Sequence, residues 1–200
     1  MSFRLASGEE DAVVHMNLLG SHNAIDAALA AAVGLRYGVD LKTAAQGLAK
    51  VKPNPRRLNA SRLAGVYLID DTYNASPDSM KAALEVMGYI QADRKICILA
   101  DMLELGDAEK SGHIEVGRKA AEEGVDMLYA IGKNAALYKE GASANPNLKV
   151  ICAEKLEELE PIISAQLRSG DAVLIKGSNA TGVAGLAERL REMLSGKEEE

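Results

Sequence analysis

From residue 65 onward, short apolar runs alternate with helical patterns, and that alternation admits few folds. GVYLIDD (65–71), KICILAD (95–101), VDMLYAIG (125–132), NPNLKVICA (145–153) and DAVLIKGS (171–178) each carry a nearly unbroken apolar stretch. The segments SPDSMKAALEVMGYI (76–90), EKSGHIEVGRKAAEEG (109–124), NAALYKEGA (134–142), EKLEELEPIISAQLRSG (154–170) and VAGLAERLREML (183–194) read as helices. Pro77 suits a first helical turn, whereas Pro161 sits awkwardly inside its helix. Apolar strands separated by helices call for a parallel sheet, because only a sheet covered on both faces buries such runs. The expected fold class is α/β, a Rossmann-like, mostly parallel sheet with helices on both faces. Ligands of such sheets collect at the C-terminal strand edge. There the sequence concentrates its polar residues, in IDDTYN (69–74), LADMLELG (99–106), AIGKN (130–134) and IKGSN (175–179).

The first 54 residues follow another pattern. DAVVHMNL (11–18) alternates partly like a strand, and AIDAALAAAVGLRYG (24–38) is an alanine-rich helix that Gly38 is placed to end. Asp40 is positioned to cap a second helix, LKTAAQGLAKV (41–51). Two helices with one or two strands bury too little to stand alone, so residues 1–54 read as the incomplete C-terminal end of a larger domain. KPNPRR (52–57) is a proline-containing connector, residues 55–194 form the α/β domain, and the acidic stretch 195–200 is expected to be a disordered tail.

Composition narrows the function. The formal net charge of −6 removes any general attraction to nucleic acid or anionic lipid, and 4% aromatics with no Trp disfavours base stacking. No apolar run approaches the ~20 residues of a membrane span, and the N-terminal residues lack a signal-peptide core, so the expected location is the cytoplasm. Cys97 and Cys152 lie in apolar runs and are expected as buried free thiols. The three histidines lack metal-ligand spacing, His15 reads as structural, and no metal ligand is assigned.

Five constellations carry candidate chemistry. Asp70 to Ser76 place two acids after an apolar strand and before a helix, where a carboxylate meets a ribose diol or an amine, or caps a loop. Gly20-Ser21-His22-Asn23 precede the alanine-rich helix, where Asn23 can meet an adenine edge or serve, like Ser21, as an N-cap. Arg56-Arg57 in the connector suit stacking on a base or bridging phosphates, or are a solvated pair. Asp101 and Glu104, with His113 downstream, can orient an amine or a base, or cap a loop. Lys176-Gly177-Ser178 can hold a carboxylate or phosphate on a tight turn, or simply make the turn. The P-loop pattern GxxxxGK[ST] occurs nowhere, and no His–Ser or His–Cys pairing points to nucleophilic catalysis.

Taken in order, GSHNAIDA, RRLN, LIDDTYNASPDSM, ADMLELG, His113 and KGS resemble the Mur ligase family over about residues 3–194. The DDTYNA and DMLELG stretches resemble the members that add D-alanyl-D-alanine to a UDP-N-acetylmuramoyl tripeptide. The resemblance implies an ATP- and Mg-dependent enzyme of three domains in peptidoglycan synthesis. Residues 1–54 would then end its central ATP-binding domain. ATP would phosphorylate the tripeptide carboxylate, and the dipeptide amine would attack the acyl phosphate. Carried over by position, Asn23, Arg57 and Asp71 fall on the ATP side. Tyr73, Asn74, Asp101, Glu104, Lys176 and Ser178 fall on the dipeptide side. No residue of this chain is assigned to the chemical step. The P-loop, the Mg ligands and the UDP-sugar domain lie outside the sequence, so the chain is expected to be inactive without the missing N-terminal and central domains. Asp26 stands where the family has an Asn, Ala100 where it has a Gly, Ser76 where it has an Asn, and Asn179 where it has an Arg-containing segment. Those departures motivate an alternative, a non-catalytic nucleotide- or peptide-binding module.

Overall fold

A computed structural model describes residues 1–197. The chain divides into two compact units, Met1–Asn54 and Pro55–Glu200.

The first unit opens with an antiparallel pair, β1 (Ser2–Ser7) and β2 (Glu10–His15), in register from Ser2 opposite His15 to Ser7 opposite Glu10. The sequence pattern pointed to a strand over 11–18 and left β1 unread; only Phe3 and Leu5 of β1 face inward, too few to mark an alternation. Together with Ala12 and Val14 they meet Met16, Ala27, Ala45 and Leu48 in a small core. Ala27 comes from α1 (Ser21–Arg36), and Ala45 and Leu48 from α2 (Leu41–Leu48). Neither Ser21 nor Asn23 caps α1: its N-cap is Gly20, at φ 93°, with no side-chain cap bond. Gly38 follows α1 at φ 82°. Asp40 caps α2, accepting from Thr43 N (2.8 Å) and Thr43 Oγ1 (2.7 Å). His15 Nδ1 pairs with Ser2 Oγ across the hairpin at 2.8 Å.

The second unit is built on β3 (Asn59–Leu63), β4 (Val66–Asp71), α3 (Pro77–Tyr89), β5 (Arg94–Ala100), α4 (Glu109–Glu122), β6 (Met127–Ile131), α5 (Ala135–Ala142), β7 (Lys149–Ala153), α6 (Leu156–Gln166), β8 (Asp171–Lys176) and α7 (Val183–Gly196). The sheet order is β3-β4-β8-β5-β6-β7. All neighbours are parallel except β3, which joins β4 through the two-residue turn Ala64-Gly65, both at positive φ. β3 has no apolar run, and for that reason the sequence pattern did not show it. β8 is one of the two central strands of the sheet, and all six of its residues are buried. Its Val173 and Ile175 join Leu68, Ile98, Tyr129 and Ile131 against Ile163 of α6 and Leu186 and Leu190 of α7. On the alternating strand positions Ile69, Cys97, Leu99, Leu128 and Leu174 are equally buried. At ~25 cal/mol per Å², each such side chain contributes about 1.5–3 kcal/mol.

α4 and α5 approach backbone to backbone. A Cβ on Gly117 would lie 2.1 Å from the Tyr138 carbonyl oxygen, and one on Gly141 would lie 1.9 Å from that of Ile114. α6 continues through Pro161, which supplies no N–H to the helical ladder. Two expectations are corrected. Cys97 is buried, and burial pushes its thiol well above the ordinary value, but Cys152 is exposed because β7 is an edge strand. α7 extends to Gly196, so the expected tail is helical at Ser195 and Gly196, and its residues 198–200 lie outside the described residues. Among the described residues no helix is long and apolar enough to cross a membrane.

Candidate functional site

The ends of β4, β8, β5 and β6 lie side by side, because Asp71 is in register with Lys176, Leu99 with Lys176 and Ala100 with Ile131. These strands deliver the four polar turns to one edge. The turns are joined by side chains that are themselves buried.

Asp71 and Lys176 form the innermost link. Lys176, 2% exposed, donates to Asp71 Oδ2 at 2.6 Å and to the Asn74 carbonyl at 2.9 Å. Asp71 Oδ1 accepts from Leu58 N at 3.0 Å. Burial raises the Asp71 carboxyl above its ordinary value, while the Lys176 charge opposes that rise. One buried pair thus ties the end of β4, the end of β8 and the start of β3. Neighbouring Asp70 turns to the other side, accepting from Thr72 Oγ1 (2.7 Å), Thr72 N (3.2 Å) and Arg191 Nη2 of α7 (3.1 Å).

Arg56 makes the second link. Its guanidinium donates to Thr72 Oγ1 (3.1 Å), Thr72 O (2.7 Å) and Asn179 Oδ1 (2.5 Å), and its own carbonyl accepts from Tyr73 N (3.0 Å). Arg56 and Leu58 both adopt left-handed conformations, φ 63° and 45°, which non-glycine residues rarely hold unless their surroundings impose it. Arg57 between them is exposed, with its guanidinium 3.9 Å from the centre of the Tyr73 ring, in cation–π contact. Asn179, a departure from the family pattern, thereby acquires a role as acceptor for Arg56. Ser76, another departure, caps α3: its Oγ accepts from Ser79 N while its own N–H donates to Ser79 Oγ at 2.9 Å.

Asp101 is the third link. Its carboxylate accepts from the backbone N–H groups of Lys133 and Asn134, each at 3.1 Å, and its carbonyl accepts from Ser178 N. Burial, the largest influence, raises its carboxyl above the ordinary value; the Asn134 N–H bond opposes this. Gly132, at φ 115°, has to be glycine here, since a Cβ would sit 2.5 Å from the Asp101 carboxylate. Ser178 Oγ accepts from Leu103 N at 2.9 Å. Buried His113 accepts from Met102 N through Nε2 (3.1 Å), so its proton lies on Nδ1, 2.6 Å from the Glu109 carbonyl. The 3.7 Å approach of Nε2 to Asp101 Oδ1 is therefore not an ion pair. The His113 ring meets Tyr138 edge-on at 4.9 Å, and Tyr138 donates to the Ala100 carbonyl at 2.8 Å.

The candidate residues thus fall into two groups. Asp71, Asp101, Lys176 and Ser178 are buried and bonded within the protein. Arg57, Tyr73, Asn74 and Glu104 are exposed at the same edge, with Glu104 held at φ 63° on the turn after β5. Asn23 belongs to the first unit, where its Nδ2 donates to the Leu19 carbonyl at 2.7 Å. Sequence reasoning included Thr72 in a motif but gave it no role, and it missed Arg191 and the Asp71–Lys176 pairing; opposite charges at adjacent strand ends were the available signal for that pairing. Among the described residues no group of three or more His, Cys, Asp or Glu side chains is arranged to hold a metal ion. The Asp70–Asp71 pair does not fit one either, since arginine, lysine and N–H groups already face it.

Residues 56–179 match the family described as "Mur ligase, glutamate ligase domain". The chain belongs to the Mur ligase family. It is 33% identical over 178 residues to the UDP-N-acetylmuramoyl-tripeptide–D-alanyl-D-alanine ligase of Bacillus subtilis, covering 88% of this chain and 39% of that protein. The Escherichia coli protein of the same name is 31% identical over 183 residues, covering 90% of this chain and 39% of its own length. A crystal structure of MurF from Acinetobacter baumannii superposes with a TM-score of 0.82 at 32% identity, covering 96% of this chain and 42% of that one. The chain therefore spans about two fifths of the length of these relatives.

Proposed function

We propose that this chain is the C-terminal, closing part of an ATP-dependent ligase of peptidoglycan synthesis that joins D-alanyl-D-alanine to a UDP-N-acetylmuramoyl tripeptide in the cytoplasm. The observation that carries the reading is the division of labour at the sheet edge: a buried framework presents four exposed side chains of complementary chemistry. Arg57 supplies a cation for the nucleotide, with Asp71 as the acid behind the ribose; Asn23, in the first unit, is assigned to the ATP side by its motif alone. Glu104 supplies an anion for the dipeptide ammonium. Tyr73 and Asn74 line the acceptor side, and Asp101, Lys176 and Ser178 hold the turns that carry them. The names of the relatives supply the two substrates.

In the reaction so proposed, the tripeptide carboxylate takes the γ-phosphoryl group of ATP and ADP leaves. The dipeptide amine, having lost its proton, attacks the carbonyl, and phosphate departs as the amide forms. This chain's part is to orient the amine and to exclude water from the acyl phosphate on closure. The domain boundary belongs to the same reading, with residues 1–54 as the end of the ATP-binding domain and the closing domain beginning at 55. Phosphate and Mg binding fall to the part of the ligase that this chain does not span, so the chain by itself turns over no ATP.

The test joins the 200-residue chain behind the preceding segment of the Bacillus subtilis relative and measures phosphate release. Release that requires both UDP-N-acetylmuramoyl tripeptide and D-alanyl-D-alanine is expected. A folded fusion that hydrolyses no ATP with either substrate would sink the ligase reading and favour the binding-module alternative, to which the Asp26 departure lends support.

A further inference from the structure

The second unit has a cleft at the edge of its sheet opposite the four polar turns, where the strands begin. It is lined by the β3–β4 hairpin, by the loop that follows α3, and by Gly170 and Asp171 at the entry to β8. Its volume is about 430 Å³, within the range of small-molecule sites. Backbone bonds fix its walls. Asp93 N donates to the Gly170 carbonyl at 2.9 Å, and Gly170 N to the Gly65 carbonyl at 3.1 Å, so the three loops are laced together. Half-buried Ile90 and Ala92 give the cleft an apolar side. Buried Asp171 is already taken: Arg94 holds it through Nε (2.8 Å) and Nη2 (2.7 Å), and Arg168 N adds a bond at 2.9 Å.

Three polar side chains of the cleft remain. Arg62 and Tyr67 stand opposite each other across β3 and β4, and residues so paired share one face of a sheet with Cβ atoms about 5 Å apart. Val66 and Leu68 join the core with α6 and α7, so Tyr67 between them faces the other side, and Arg62 with it. Burial raises the Tyr67 phenol above its ordinary value and keeps it a neutral donor. The third group is Asp93, whose carboxylate lies against Gly170: a Cβ on that glycine, at φ 92°, would collide with it. Among the described residues none of these three side chains has a hydrogen-bond or ion-pair partner.

A guanidinium and a phenol O–H on one patch make a donor pair for a carboxylate. A carboxylate on the opposite wall takes an ammonium. Asp93 immediately precedes β5, and β3 and β5 are three strand spacings apart, about 14 Å. The arginine side chain spans part of that distance, and about two or three extended residues, at ~3.3–3.6 Å each, span the rest. We propose that this cleft binds a short peptide with both termini free, its C-terminal carboxylate on Arg62 and Tyr67 and its N-terminal ammonium on Asp93. The proposal draws nothing from the ligase reading.

Trialanine titrated into the isotope-labelled 200-residue chain, followed by two-dimensional NMR of the amides, tests it. Saturable shifts are expected at Gly65, Tyr67, Asp93 and Gly170, with a Kd on the order of 1 mM, and none at Ala100, Gly132 or Gly177 on the opposite edge. Arg62→Gln and Asp93→Asn should each weaken binding at least about tenfold. Both side chains are exposed, so the urea midpoint should hold. Blocked peptides probe the same two contacts without touching the fold. Trialanine amide should bind at least about tenfold more weakly than trialanine and be indifferent to Arg62→Gln; N-acetyl-trialanine should behave in the same way toward Asp93→Asn. The absence of saturable shifts at tenfold the expected Kd overturns the proposal, as do shifts confined to the opposite edge. Blocked peptides or variants that bind as tightly as the parent pair overturn it too. Acetate that reproduces the shifts with the affinity of trialanine overturns it and leaves a bare anion site.

Discussion

Replacing Lys176 by methionine removes the cation at the centre of the sheet edge and keeps most of the side-chain volume. Lys176 is 2% and Asp71 8% exposed, so the pair is effectively out of water. The substitution leaves Asp71 Oδ2 and the Asn74 carbonyl without donors, while Asp71 Oδ1 keeps the Leu58 N–H. A buried charge stripped of its partner costs about 3–5 kcal/mol, which is a large fraction of the stability of an ordinary domain. The pH dependence has a definite sign. Burial already raises the Asp71 carboxyl above its ordinary value, so the folded state binds the proton more tightly than the unfolded one. Stability therefore falls as pH rises from the ordinary carboxylate value through the raised one. Without Lys176 the opposing influence is gone, and that window extends to higher pH. The loss in Lys176→Met is thus fullest well above the raised carboxylate value and shrinks as pH falls through it, vanishing only below the ordinary carboxylate value, where Asp71 is protonated in both states. Adding Asp71→Asn removes the stranded charge and should return stability to within about 1–2 kcal/mol of the parent, the residue being one unsatisfied carbonyl. Urea unfolding followed by far-ultraviolet circular dichroism, with amide exchange in β4 and β8 as a local readout, measures all three proteins. A single variant costing less than about 1 kcal/mol, or a double variant as unstable as the single, refutes the buried-pair argument.

Gly141→Ala places a methyl 1.9 Å from the Ile114 carbonyl oxygen. Neither backbone can yield locally, so the expected loss is about 2–3 kcal/mol in the same unfolding assay; a neutral substitution would mean that α4 and α5 slide freely. In the fusion enzyme, Arg57→Ala is expected to raise the KM for ATP at least about tenfold with little change in the stability of the second unit, because the side chain is exposed and gives up only its contact with Tyr73. An unchanged KM would remove Arg57 from the nucleotide side. In the isolated chain, amides of residues 1–52 should exchange faster than those of the second unit's central strands, given the few residues in the first core; uniform protection would show that the small unit is stable in its own right.

The legible part of the fold was the part that hydrophobic burial alone decides. β4, β5, β6 and β8 announce themselves because strands covered on both faces must be apolar on both faces, β7 shows through its short apolar run alone, and the helices between them carry a different period. β3 and β1 were not legible for the complementary reason. Each has one neighbour, gives few side chains to a core, and is held by backbone pairing that any sequence can make. Cys152 shows the same limit from the other side: an apolar run predicts a strand, but not whether that strand lies inside the sheet or at its rim. The candidate residues were legible as polar positions at one sheet edge, and their burial and bonding were not. The order of motifs brought Asp71, Asp101, Lys176 and Ser178 forward with Arg57, Tyr73, Asn74 and Glu104, and nothing in the one-dimensional pattern separates the buried four from the exposed four. That separation depends on register, which sets Asp71 opposite Lys176, and on the turns after β5 and β6, which aim two N–H groups at Asp101.

The same geometry explains how the departures at the edge are absorbed without disturbing it. Asn179 is an acceptor, and Arg56 from the connector supplies the donor, so a cation still bridges the turns after β4 and β8. Because Arg56 also fixes the Tyr73 N–H through its own carbonyl, the link sets the height at which Arg57 and Tyr73 stack. Asn179 and Tyr73 are thereby connected through Arg56 without touching each other. In the proposed ligase this places the nucleotide-side arginine and the acceptor-side tyrosine in a single stacked unit. Any ligand that draws Arg57 toward a phosphate must first release it from Tyr73, at about 0.5–1 kcal/mol for an exposed cation–π contact. That is small enough for a phosphate-bearing ligand to overcome, and the release uncovers the face of Tyr73.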